Sequence, residues 1–356
     1  MKIGNITFSL DTGKCPAWLF YRMKKLGGII SELIVEEYGV DELIKRLSHP
    51  IWFQSLGCAL AFDWNSSGLT VVLTSALKEA FKERKLEIYI CGGKGKTSKK
   101  TPSEMEKLSE ILNFDMGYYI SLSKLIAKVD NSLIQDGFTL YHHTFIISKN
   151  KNWAVVQQGM NTKLSLARRY HWSSFNVDIN DLTTEPHLGI VSDLKLKKVF
   201  NLTDAMSKEN KNIILKLINH PSDLFNDLDV LLKEKKKIPN LFLDQNDFRY
   251  HPVLEEKFNL KKIKQIIKEA SFLEPKTFED LLINTKVGPK TLRAVSLIGE
   301  LVYNKPVSYK DPTRYSFANG GKDGVPYPVD RKIYDEVISL LNKALVISRK
   351  KLFSLR

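Results

Sequence analysis

The stretch TFEDLLINTKVGPKTLRAVSLIGELVYN, residues 277–304, decides how the C-terminal part of this chain is read. Thr277 to Asp280 has capping-box-like spacing at the start of a short helix, TFEDLLIN. TKVGPKT (285–291) reads as a tight turn, and 292–304 has the apolar spacing of a second helix. Gly288 offers a backbone conformation that residues with a Cβ avoid. Pro289 suits the first turn of the helix that follows. The free amides at that helix start can hold a phosphate without reading bases. Short helix, turn and second helix predict a helix-hairpin-helix element that contacts DNA. Its expected contact residues are Lys286, Val287, Gly288, Lys290, Thr291 and Arg293, with Lys322 and Arg331 further along. A buried pair of helices with a coincidental glycine turn is the competing reading.

Outward from this stretch, charge is unevenly spread. The chain has 356 residues and a formal net charge of +14. Residues 257–356 hold 20 basic and 10 acidic residues, a balance of +10, which leaves +4 for residues 1–256. A basic C-terminal hundred points to a polyanion, and DNA is the expected partner. Hydrophobic residues make up 43%, enough for a buried core, which excludes wholesale disorder. No apolar run approaches the roughly 20 residues of a membrane span, so no membrane is expected. The N-terminus lacks the pattern of a secretory signal. Cys15, Cys58 and Cys91 are too few and too scattered for a disulfide frame or a zinc cage. A cytoplasmic, nucleoid-associated location is expected.

The length suggests two domains. The expected fold class is α+β: a mixed domain of unknown role over 1–256, then an all-helical, helix-hairpin-helix domain over 257–356. Pro16 and Trp18 open a helical stretch that Gly39 stops, and VDELIKRLSH ends at Pro50. LEIYICGGKGKTSKKTP reads as a strand running into a glycine-lysine loop, with helices following at 102–113 and 117–134. FTLYHHTFIISKNKNWAVVQQGM predicts a hairpin with its turn at Lys149–Asn152. From there to about residue 256 the pattern is mixed, and from 257 it is helical except for a Gly/Pro-rich stretch at 304–328.

Three further motifs bear chemistry. GGKGKTSKK (92–100) lacks the spacing of an ATP-binding phosphate loop and reads as a basic loop for a DNA backbone or as a solvated turn. DWNSSG places Asp63, Asn65 and Ser66 after an apolar run, at an active-site turn or a helix cap. YHHTF, QQGMN and ARRYHW gather His142, Gln157, Gln158, Asn161, Arg168, Arg169 and His171, a candidate base pocket or second site. Adjacent His142 and His143 point to opposite faces of a strand, so they make a poor metal pair. No metal site is assigned; Asp63, Glu87 and Lys94 are the nearest approach to one.

TKVGPKT and PVDRKIYDEVI resemble the helix-hairpin-helix DNA glycosylase superfamily, which includes endonuclease III and the 8-oxoguanine glycosylases. The resemblance implies that Lys290 matches the nucleophilic lysine of the bifunctional members and Asp330 the general catalytic aspartate. Lys286 stands where the usual hairpin has its first glycine, and the insertion PVSYKDPTRYSFANGGKDGVPYP lengthens the path to Asp330. Over its whole length the chain resembles a largely archaeal domain-of-unknown-function family, number 763, on WFQSLGCALAFDWNSSG, GGKGKTSKKTP, WAVVQQGMN, ARRYHW and FANGGKDGVPYPVD.

A lysine attacks C1′ of a deoxynucleotide only when unprotonated, and the target base must first leave the stack. The expected function is therefore a DNA repair enzyme, a glycosylase with AP-lyase action through a lysine Schiff base, needing no cofactor. Phosphate contact is the plainer role for Lys290, and a helix N-cap the plainer role for Asp330. The rivals are a Mg²⁺-dependent DNA-structure endonuclease that uses the hairpin as a clamp, and a non-catalytic DNA-binding protein.

Overall fold

Pro16 and Gly39 bracket the first helix, α1 (Ala17–Tyr38), and Gly39 ends it at φ 87°. The computed structural model describes residues 15–62, 66–237, 259–315 and 329–354. After α1 come α2 (Val40–Ser48), α3 (Pro50–Ala59) and α4 (Ser66–Arg84), with Pro50 in the first turn of α3. Then follow β1 (Ile88–Lys94), α5 (Thr101–Leu112), α6 (Gly117–Lys128) and a π-helical turn, Val129–Leu133. The strands continue with β2 (Ile134–Gln135), β3 (Thr139–Ser148), β4 (Trp153–Asn161), β5 (Leu166–Ser173), β6 (Gly189–Val191) and β7 (Phe200–Asn201). The remaining helices are α7 (Lys208–Asn219), α8 (Pro221–Lys237), α9 (Leu260–Phe272), α10 (Phe278–Asn284), α11 (Pro289–Leu301) and α12 (Arg331–Ser354).

Five strands form one antiparallel sheet in the order β1-β3-β4-β5-β6, and β2 pairs with β7 in a small second one. Side chains alternate across a strand, so each strand serves two cores. Ile88, Ile90, Ile146, Ala154 and Val156 point into a core shared with α1–α4. Cys91, Phe145, Ile147, Trp153, Val155 and Trp172 point the other way, into a core shared with α5–α11. The molecule is thus mixed α and β, with a sheet between two helical layers.

The helices after residue 256 do not share a core of their own. Ile263, Ile267, Leu281, Leu292, Val295 and Ile298 of α9–α11 join the core that holds Val129 and Ile214. Tyr334, Ile338 and Leu345 of α12 join the other one, beside α1–α4. Their helical spacing gives α12 one apolar stripe, and that stripe needs an apolar surface to cover it. The Tyr334 hydroxyl donates to the Leu60 carbonyl at 3.1 Å, and Arg22 pairs with Asp335 at 2.6 Å. The expected boundary at 256 lies outside the described residues.

The backbone near the end of β1 is tightly constrained at Gly92. Gly92 has φ 90°, and a Cβ there would sit 2.3 Å from the His143 carbonyl oxygen and 2.4 Å from Thr101 Oγ1. Gly95 also has positive φ, 59°, but a Cβ there would meet nothing within 4 Å. Gly92→Ala is therefore expected to cost more than about 2 kcal/mol, and Gly95→Ala only about 1 kcal/mol of backbone strain. Urea midpoints of the two variants measure this; equal midpoints would contradict the packing described for Gly92.

Candidate nucleic-acid interface

The loop between β1 and α5 is built rigidly at its base and charged at its tip. Lys78 Nζ donates to Glu104 Oε2 at 2.6 Å and to the Gly92 carbonyl at 3.1 Å. The Gly92 amide donates to the same Glu104 oxygen at 2.8 Å. From this base a 3-10 turn, Gly95–Lys100, runs into α5, and Thr101 Oγ1 ties back to the Ser98 carbonyl at 2.7 Å. Lys94, Lys96, Lys99 and Lys100 are all exposed. Among the described residues none of the four makes an ion pair; Lys94 Nζ stands 5.9 Å from the centroid of the Tyr141 ring. The backbone thus presents four cations with no ion-pair partner among the described residues, which suits a phosphate chain.

The hairpin forms where expected, between α10 and α11, with Thr277 capping α10 through the Asp280 amide at 3.1 Å. Its turn is not the strained one expected. Gly288 lies at φ −131°, ψ −174°, extended backbone open to any residue, and a Cβ there would meet nothing within 4 Å. Gly288 acts instead as the N-cap of α11, with Pro289 at the first helical position. Lys286 and Lys290 are exposed; Lys286 pairs with half-buried Glu269 at 2.9 Å, a contact worth little so close to water. Val287, Thr291 and Arg293, expected at a phosphate, are instead buried. The Val287 carbonyl accepts from Lys128 Nζ at 3.3 Å, and Arg293 donates to Gln135 Oε1 in the interior. Arg293 ties α11 to β2, and the side chains of all three are turned inward.

Asp330 and Lys290 lie on helices packed in the cores on opposite faces of the sheet. Asp330 Oδ1 accepts the amides of Lys332 at 2.9 Å and Ile333 at 3.1 Å, an N-cap on α12. Arg331 is exposed beside it, with its guanidinium 4.1 Å from the centroid of the Trp18 ring. Asp63, Asn65 and Lys322 lie outside the described residues, as does the side chain of Ser66 at the start of α4. Glu87 pairs with Lys149. Among the described residues, no three of His, Cys, Asp or Glu are gathered so as to hold a metal ion.

The His/Gln/Arg motifs come together, divided between the two faces of the sheet. The pairing His142–Gln158–Arg169 runs straight across β3, β4 and β5, and Lys94 of β1 sits opposite His142. On this face, toward α3 and α4, Arg169 is fully buried. It donates to His171 Nε2 at 2.8 Å, Thr70 Oγ1 at 3.2 Å and Gln54 Oε1 at 3.0 Å. No carboxylate partners it among the described residues, and burial brings its pKa down to about 9. Burial, helped by His143 and Lys94, pushes His142 down to about 3, so the ring is neutral. Its Nε2 meets Thr74 Oγ1 at 3.3 Å, while Nδ1 has no hydrogen-bond partner among the described residues. His171 Nδ1 is held to the Ser48 carbonyl at 2.9 Å. Asn161 closes the end of β4 by accepting the Leu164 amide at 3.1 Å.

On the opposite face a chain of hydrogen bonds that the sequence did not suggest runs under the sheet. Ser123 Oγ meets His143 Nε2 at 2.8 Å, and His143 Nδ1 meets Gln157 Oε1 at 2.7 Å. Gln157 then donates to Asp130 Oδ2, which also accepts Trp172 Nε1 at 3.0 Å. Asp130 Oδ1 meets His187 Nε2 at 2.5 Å. Beside this chain Arg168, fully buried, donates to Asp136 at 2.7 Å and Asp311 at 2.8 Å. Asp130 and His187 carried no sequence signal, since no motif links residues 57 apart.

The chain belongs to the family described as "Protein of unknown function (DUF763)", whose model matches residues 4–329. No curated protein and no solved structure matches it.

Two outcomes check these placements. Asp330→Ala should cost about 1 kcal/mol through loss of the α12 cap, read from the thermal midpoint. Asp193 is the second case: both its oxygens are buried without a hydrogen-bond partner among the described residues, and burial raises its pKa to about 7. A carboxyl whose pKa is raised on folding favours the folded state at low pH and loses that favour as pH rises through about 7. Asp193→Asn should therefore flatten the stability profile between pH 4 and pH 7, read by urea unfolding across that range; a slope identical to wild type would contradict the burial.

Proposed function

We propose that this protein binds DNA through the sugar-phosphate backbone, using the β1–α5 loop together with the exposed lysines of the α10–α11 hairpin. The observation that carries the reading is the loop: Lys94, Lys96, Lys99 and Lys100 are exposed and in no ion pair among the described residues, on a backbone fixed by Gly92, Glu104 and Lys78. Counter-ions condensed on the phosphates would be released as these lysines dock. A cytoplasmic, nucleoid-associated location goes with this partner.

Fluorescence anisotropy of a labelled duplex, titrated at several salt concentrations, tests it. Changing all four lysines to Gln should lower the salt slope by about 0.9 for each phosphate left without its lysine. Affinity should fall on all sequences alike. A slope and affinity equal to wild type would sink the loop as a DNA contact.

Within this reading the chemistry proposed is base excision, a DNA glycosylase with lyase action through Lys290. What supports it is that α10 and α11 form the hairpin and leave Lys290 exposed in the first turn of α11. Borohydride should trap a covalent adduct between the protein and DNA carrying an abasic sugar, and Lys290→Gln should abolish it while DNA is still bound. Asp330→Asn separates two roles, since Asn caps a helix as well as Asp does. A capping role leaves base release unchanged, whereas a catalytic carboxylate would slow it by orders of magnitude. Loss of all strand cleavage in EDTA would instead favour the Mg²⁺-dependent nuclease.

A further inference from the structure

The two proposed DNA contacts leave unused a cleft of about 350 Å³ beside β6, at the opposite edge of the sheet from β1. His187, which is bonded to Asp130 behind it, forms part of its wall. Asp130 Oδ2 accepts from Gln157 and Trp172, and its Oδ1 meets His187 Nε2 at 2.5 Å. The imidazole is thereby oriented, and it lines the cleft. Its Nδ1 has no protein partner among the described residues.

Three cations line the same cleft: Lys195, Lys310 and Arg314, all exposed and none in an ion pair among the described residues. Two of them sit on a fixed segment. Asp311 Oδ1 accepts the Thr313 amide at 2.9 Å, its Oδ2 accepts from Arg168 at 2.8 Å, and the Arg314 amide donates to the Ile190 carbonyl at 3.1 Å. Buried Arg168 thus fixes the backbone from which Lys310 and Arg314 reach the opening. Two acidic residues also line the cleft. Glu185 is exposed, and Asp204 accepts the Met206 amide at 2.9 Å, which engages one of its oxygens. Both Asp311 oxygens are taken inward, by Arg168 and the Leu196 amide on one and the Thr313 amide on the other, so three exposed cations stand at the opening against Glu185 and Asp204. The wall at Glu185 is strained, at φ 44°, and its amide is tied to the Thr203 carbonyl at 2.7 Å. Such strain concentrates at ligand sites.

We propose that this cleft binds a phosphate monoester of nucleotide size, with Lys310 and Arg314 on the phosphate oxygens and His187, oriented by Asp130, as a further hydrogen-bonding partner. A guanidinium matches phosphate oxygens two at a time. The volume exceeds what inorganic phosphate needs and falls in the range of small-ligand sites. The same group can come from a free mononucleotide or from the phosphorylated end of a DNA strand. The second source rests on the DNA-binding reading; the first does not.

Isothermal titration of the full chain with a deoxynucleoside 5′-monophosphate should show saturable one-to-one binding, and the nucleoside without phosphate should show none. The double variant Lys310→Gln, Arg314→Gln alters only exposed side chains and should weaken binding roughly tenfold or more. His187→Gln should weaken it several-fold, with a thermal melt to show that the fold survives. Competition by 5′-phosphorylated but not 5′-hydroxyl oligonucleotides would assign the strand end as the source; competition by neither assigns the free nucleotide. Binding of the nucleoside as tight as the nucleotide, unchanged affinity in the double variant, or no binding at millimolar nucleotide overturns the proposal. The variant lacking the four loop lysines should bind the mononucleotide normally, so failure of the loop and failure of the cleft are read separately.

Discussion

Arg168 carries its charge where no solvent reaches it, and three separate parts of the chain are arranged to meet it. Asp136 comes from the turn before β3, Asp311 from the segment after α11, and the Leu194 carbonyl from the turn after β6. Burial alone would lower the guanidinium's pKa, but the two carboxylates outweigh it and raise it above its ordinary value. Removing Arg168 from such a set would leave two carboxylates in the interior without their cation, at about 3–5 kcal/mol. Each carboxylate also does a second job. Asp136 accepts the Phe138 amide at 2.9 Å where the chain enters β3, and Asp311 accepts the Leu196 amide at 2.7 Å. The start of the central hairpin and the wall of the cleft are thereby fixed to one side chain.

The two-faced sheet explains why so many polar residues are buried here. A sheet covered by helices on both sides leaves little of its strands solvated, so most polar side chains on β3, β4 and β5 are buried and need a partner inside. The network does this unevenly. On the Asp130 side Ser123, His143 and Gln157 are bonded in sequence to Asp130, which Trp172 and His187 also meet. The other side leaves Arg169 with neutral acceptors alone and His142 Nδ1 without a partner among the described residues. The interior therefore holds the fold together, and the charges available to a ligand are displaced to its margins, the lysine loop at the β1 edge and the cleft at the β6 edge.

Elements governed by neighbours along the chain are legible in the residues alone. Gly39 and Pro50 end helices because one supplies a positive φ and the other cannot continue the helix that precedes it. The β3–β4 hairpin shows in its turn at 149–152, and the lysine loop in its glycines. The α10–α11 hairpin is legible as two helices and a turn, but the expected strain at Gly288 is not there, because an N-cap needs only extended backbone. Strand β5 is hidden, since LARRYHWS reads as polar, and only helices on both faces make it interior.

Local segments, their charge and their stops are properties of the sequence, because they follow from each residue's own backbone freedom and side chain. Tertiary structure alone decided the rest. It buried Arg293 and Thr291, which the hairpin pattern turns toward DNA, because α11 packs its inner side on the core that holds Val129 and Ile214. It sent α12 to the opposite core, where its apolar stripe finds α1. It brought His187 to Asp130 across 57 residues. Contacts of that range depend on which surfaces must be hidden from water together, and no short window of sequence carries that information.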